Sequence, residues 1–127
     1  MKSTVERWIE MSTYDLDTAK AMFDSGRHIY VVFCCQQALE KLIKAVFANK
    51  IQEMPPRIHH LARLCELSDV VPEEKDVDFL RELSACYLES RYPVDCVDPS
   101  IEISEDDSRK ILEESERIWK WFRSLLP

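Results

Sequence analysis

Residues 28–47, HIYVVFCCQQALEKLIKAVF, are the most strongly apolar stretch of this chain, and their reading decides the fold. The whole sequence holds one Gly beside abundant Leu, Glu, Ala and Lys, which leaves few hairpin turns and favours helix over sheet. The stretch is therefore read as a helix from about His28 to Asn49. On it Ile29, Val32, Gln36, Leu39, Ile43 and Val46 follow the three-four spacing of one face, and Phe33, Gln37, Glu40, Lys44 and Phe47 make the adjacent row. Gln36 thus falls inside the apolar stripe and Glu40 borders it. An amide or carboxylate placed there costs several kcal/mol unless it is hydrogen-bonded, so each needs a partner. Gln37 and Lys41 are expected to be solvated, and Lys44 to bury its stem while its ammonium reaches water.

The flanking segments also read as helices. Residues 3–25 carry Val5, Trp8, Ile9, Ser12, Leu16, Ala19, Met22 and Phe23 at spacings of three and four, with Ser3 and Glu6 as a capping box. Gly26 then sits where a left-handed residue ends a helix, so the first two helices are expected to be antiparallel neighbours. QEMPPR (52–57) breaks the chain before a short helix over about His59–Ser68, in which Leu61, Leu64 and Leu67 are apolar. A further helix over about Glu74–Ser90 carries Phe79, Leu80, Leu83 and Tyr87 on one side, and Pro93 forbids its continuation. YPVDCVDPSIEI (92–103) is long for a connection inside a bundle and reads as a functional loop. Ser104 caps the last helix; Glu105, Asp106 and Asp107 fill its first turn and Lys120 and Arg123 its last, all matching the macrodipole. Its inward stripe is Ile111, Ser115, Ile118, Phe122 and Leu125. Trp119 and Trp121 cannot both enter the core from neighbouring faces, which leaves Trp121 for the surface or a subunit contact. The expected architecture is all-α, one domain over residues 1–127, an up-and-down bundle of four long helices plus one short helix.

Composition narrows the function. A net charge of −7, from 17 basic and 24 acidic residues, opposes general polyanion binding, although Lys41, Lys44, Lys50, Arg57 and Arg63 face only Glu53 over residues 41–63. No apolar run approaches a membrane span and the first residues form no signal-peptide core, so no membrane association and a cytoplasmic location are expected. The five Cys include no CxxC pair, and those inside helical patterns read as buried free thiols. The chain has no glycine-rich phosphate loop, dinucleotide fingerprint, hydrolase serine motif or Glu-x-x-His pair, so neither a metal nor a cofactor is expected.

Arg91 is the candidate partner for Glu40. It lies four residues after Tyr87 and eight after Leu83, continuing that helix's inward face as the helix ends, where a guanidinium suits the dipole and can bind a carboxylate through two hydrogen bonds. On spacing alone a Glu40–Arg91 pair reads as a structural register pin.

Four blocks resemble the HEPN family: DLDTAKAMF (15–23), FCCQQALEKLIKAVF (33–47), PPRIHHLARL (55–64) and YLESRYP (87–93). The resemblance covers roughly the first three quarters of the chain. It implies a helical bundle that forms a homodimer and acts with a minimal nucleotidyltransferase partner in toxin–antitoxin or phage-defence systems. It also implies a nucleotide- or phosphate-binding role, or metal-independent cleavage of RNA. In the nuclease members an arginine is followed after a short gap by a histidine; Arg91 matches the arginine, and no histidine follows it. Two readings result. One is an interaction module with Gln36, Gln37, Glu40, Lys44, Arg91 and His59 as a ligand-binding or structural polar cluster. The other is a ribonuclease in which Arg91 steadies the scissile phosphate and Asp95, Tyr92 or Cys96 takes the histidine's place. His59 at a helix start beside Pro55 and Pro56 is expected to serve as a cap or loop-packing residue.

Overall fold

The computed structural model of the protein describes residues 1–89 and 102–127. The Tyr87 side chain and all of Arg91, Tyr92, Asp95 and Cys96 lie outside the described residues. The helices are α1 (Thr4–Asp24), α2 (His28–Ile51), α3 (Leu61–Leu67), α4 (Glu74–Glu89) and α5 (Glu105–Ser124), and no strand occurs among the described residues. Four long helices and one short one make the expected all-α bundle.

Helix ends follow local chemistry. The Ser3 hydroxyl accepts from the Glu6 amide at the start of α1, and Ser104 accepts from the Asp107 amide at the start of α5. α1 closes in a Schellman motif: Gly26 takes φ 76°, its N–H reaches Phe23 O, and the Arg27 N–H reaches Met22 O at 2.8 Å. The same pair of bonds ends α3, with Asp69 at φ 56° in the glycine's position and the Val70 N–H on Cys65 O at 3.0 Å. α3 begins at Leu61, two residues later than the sequence pattern implied, because His60 is its cap: the ring Nδ1 accepts from the Arg63 amide.

α2 is the axis of the fold, and α1, α3, α4 and α5 all pack against it. Val31, Val32, Cys34, Cys35, Gln36, Ala38, Leu39, Glu40 and the unbroken run 42–48 are buried. This corrects the expectation of a stripe with a solvated edge: a helix enclosed on most sides has no polar face. Leu39, Leu42, Ile43, Leu61, Leu64, Leu80, Ile118 and Phe122 form the fully enclosed centre. Leu125, expected inward, is instead exposed, because α5 stops at Ser124 and Leu126 turns into the core.

Two polar ties cross the apolar interfaces. Trp119 Nε1 donates to Ser12 Oγ at 2.8 Å, and Ser12 donates on to Ala38 O at 2.5 Å, which joins α5, α1 and α2. Trp121, two residues on, is partly exposed, as expected. Arg117 of α5 donates to the buried Asp76 in the first turn of α4 at 2.6 Å and to Glu114 at 2.9 Å.

Candidate functional site

The four-residue rhythm of α2 stacks Gln36, Glu40 and Lys44 on one another along a face that the bundle closes over. Lys44 Nζ donates to Glu40 Oε2 at 3.0 Å, with 7% and 6% of the two side chains exposed, so this is a desolvated ion pair rather than a lysine reaching for water. Lys44 also lies 5.7 Å from the Trp8 ring centroid, over its face, which gives the cation a second favourable neighbour. Gln36 Nε2 donates to Glu40 Oε1 at 3.2 Å and to the backbone carbonyl of His59 at 2.8 Å, while its own oxygen accepts from Gln37 Nε2 at 3.0 Å.

The fourth side comes from the chain entering α3. Pro55 is buried and fixes the approach of residues 55–60 to α2. His59 Nδ1 then lies 3.0 Å from both carboxylate oxygens of Glu40. A nitrogen facing a carboxylate carries a proton, so Nδ1 is the donor to Glu40. The Leu61 amide, next in line, donates to the buried Ser84 hydroxyl of α4 at 3.0 Å and ties the segment from the other side.

Gln36, Gln37, Glu40, Lys44 and His59 are therefore brought together. His59 is a ligand of the cluster rather than the helix cap, a role His60 takes. Arg91, Tyr92 and Asp95 lie outside the described residues, so the Glu40–Arg91 pair does too; the described residues already satisfy Glu40 through Lys44, Gln36 and His59. Trp8 and Ser84 were not singled out by sequence. Each looks like an ordinary member of a helical stripe until α1 and α4 dock on α2.

Electrostatics around the cluster are quieter than the run of basic residues implied. Lys41 pairs with Asp15, Lys50 with Asp69, and Arg63 with Glu66. Arg57, His59 and His60 remain exposed in one short segment with no acid among them. Burial pushes the Cys34 thiol up to about 11 and those of Cys35 and Cys65 up to about 12, so none of the three is a nucleophile near neutral pH. Among the described residues no three His, Cys, Asp or Glu side chains gather as a metal site, and no helix is long and apolar enough to cross a membrane.

A family model described as HEPN domain matches residues 5–125. Among solved structures, the crystal structure of TT1696 from Thermus thermophilus superposes with a TM-score of 0.78 at 20% identity, covering 98% of this chain and 100% of that one. ST0689, described as an archaeal HEPN homologue, superposes with a TM-score of 0.76 at 26% identity, covering 98% of each chain. Comparison with curated proteins finds no match.

Proposed function

This chain belongs to the HEPN domain family, and from that premise we propose that it is an interaction module binding a phosphate-bearing ligand, a nucleotide or RNA. In this reading it acts as a homodimer with a minimal nucleotidyltransferase partner, in a toxin–antitoxin or defence setting. The observation that carries the reading is the cluster of Gln36, Glu40, Lys44 and His59. Its charges and hydrogen bonds are met internally, so its work is to hold residues 57–60 against α2. That segment presents Arg57, His59 and His60 outward, a local basic surface on an acidic protein. The test is titration of the purified protein with labelled single-stranded RNA and with nucleoside triphosphates. Saturable binding that weakens with salt and falls about tenfold or more in Arg57→Glu is the expected result; no saturable binding of either probe overturns the reading.

One observation favours a second reading, metal-independent cleavage of RNA: a half-exposed imidazole held by a buried carboxylate is an arrangement suited to proton transfer. Incubation with single-stranded RNA in EDTA, beside Arg91→Ala, tests it. Cleavage by the wild type that disappears in a folded Arg91→Ala protein supports it, and no cleavage above the mutant's background removes it.

A further inference from the structure

We propose that two copies of this chain meet through the outward face of α1, packed antiparallel about a two-fold axis level with Ser12; the inference rests on the homodimer in the reading above and names its contact. α1 packs chiefly on α2 and also on α5, which leaves one of its sides facing out. On that side Arg7, Glu10, Tyr14 and Asp17 follow the three-four spacing and all are exposed, with Met11 on the flank. Tyr14 is 74% exposed and Met11 44%, a large apolar outlay for a solvated helix.

The order of charges along this face identifies the occupant. Arg7 stands before the Met11 and Tyr14 centre and Asp17 after it, about 15 Å apart along the helix and so too far to pair with each other. Neither has an ion-pair partner among the described residues, whereas the other α1 charges Lys2, Asp15 and Lys20 pair with Glu10, Lys41 and Glu116. A second copy running antiparallel presents the same charges in reverse order, so one patch is complementary to itself. With the axis level with Ser12, Arg7 comes opposite the second copy's Asp17, and Asp17 opposite its Arg7. In the same register Tyr14 comes opposite the second copy's Glu10, whose carboxylate can accept from the phenol, and the two Met11 side chains lie side by side near the axis. The Tyr14 ring of one copy also stands level with a depression that Arg7, Glu10 and Met11 line on the other. Parallel packing sets Arg7 against Arg7 and Asp17 against Asp17. An antiparallel shift of one turn sets Asp17 against Glu10 or leaves Arg7 facing Tyr14. The two-fold at Ser12 is the register that pairs both charges.

Sedimentation of the full chain over a range of concentrations tests this. Wild type should show a concentration-dependent monomer–dimer equilibrium that added salt weakens. Arg7→Asp and Asp17→Arg, each melting like the wild type, should raise the dissociation constant about tenfold or more, since each sets like charges opposite one another twice. Mixed in equal amounts, these two variants should associate again, because one copy then carries both acids and the other both bases. Tyr14→Ala should weaken the dimer to a similar degree without lowering Tm. A mixture no tighter than its separate components overturns the pairing. A dimer equally tight in all three variants overturns this surface and leaves the homodimer standing on another. A wild type that stays monomeric at every concentration removes both.

Discussion

Glu40 and Lys44 are a buried pair inside a helix, and the value of such a pair lies in what its loss would strand. Removing the carboxylate in Glu40→Ala leaves an enclosed ammonium whose remaining neighbour among the described residues is the Trp8 ring, and should cost about 3–5 kcal/mol, read as a lower urea midpoint. Replacing both, Glu40→Leu with Lys44→Met, should recover most of that loss, because an apolar pair of similar size asks for no desolvation. The buried thiols make a second prediction. Their folded values lie above the ordinary 9.0, so their contribution to stability is complete below pH 9.0 and is lost as pH climbs toward 11 and 12. In native protein near neutral pH, alkylation followed by peptide mass spectrometry should leave Cys34, Cys35 and Cys65 unmodified, and urea should expose all three. The spacing of Gln36, Glu40 and Lys44 made the polar cluster legible in the sequence, since a helix period fixes what lies above what. Spacing alone does not supply the contact of His59, nineteen residues beyond Glu40, because it depends on how a proline-bearing segment folds back; His59 enters the cluster through the family resemblance. Arg91, reached by extending a helical face, lies outside the described residues.

Among the elements, α4 and α5 are joined through Arg117, which reaches a buried Asp76 and a half-exposed Glu114. Arg117→Met should cost about 1–3 kcal/mol by leaving Asp76 without its donor, measured by chemical denaturation. The guanidinium beside Glu114 holds that carboxyl below the ordinary 4.5, so its share of the stabilisation is present above that pH and fades as acid takes the solution below it. Wild type should therefore lose more stability than Arg117→Met on acidification through that window. The helix starts at Ser3 and Ser104 and the stop at Gly26 were legible because those residue types rarely serve another purpose there. The stop at Asp69 was not, since an aspartate in a left-handed turn looks like any other surface acid, and a histidine cap at His60 gives no distinctive signal either.

At the scale of the whole molecule, the bundle is organised around α2, which touches every other helix. Leu39→Ala, at a fully enclosed position, should cost about 2–5 kcal/mol, and the amides of α2 should exchange with solvent only through global unfolding, as hydrogen-exchange mass spectrometry would read. The all-helical class was legible from composition, but the enclosure of α2 was not. A pattern read against 3.6 residues finds a best stripe even in a helix that has no outside, and Glu40, Lys41 and Lys44 gave that stripe an edge that the docking of α1 and the 55–60 segment erases. A library of all single substitutions would hear the difference as rhythm. Along α5, tolerance should rise and fall once per turn as solvent-facing positions come round; from Val31 to Ala48 it should lie nearly flat and low. The helix at the centre of this fold would then be recognised in variation data by its silence, a stretch where no position is free to drift.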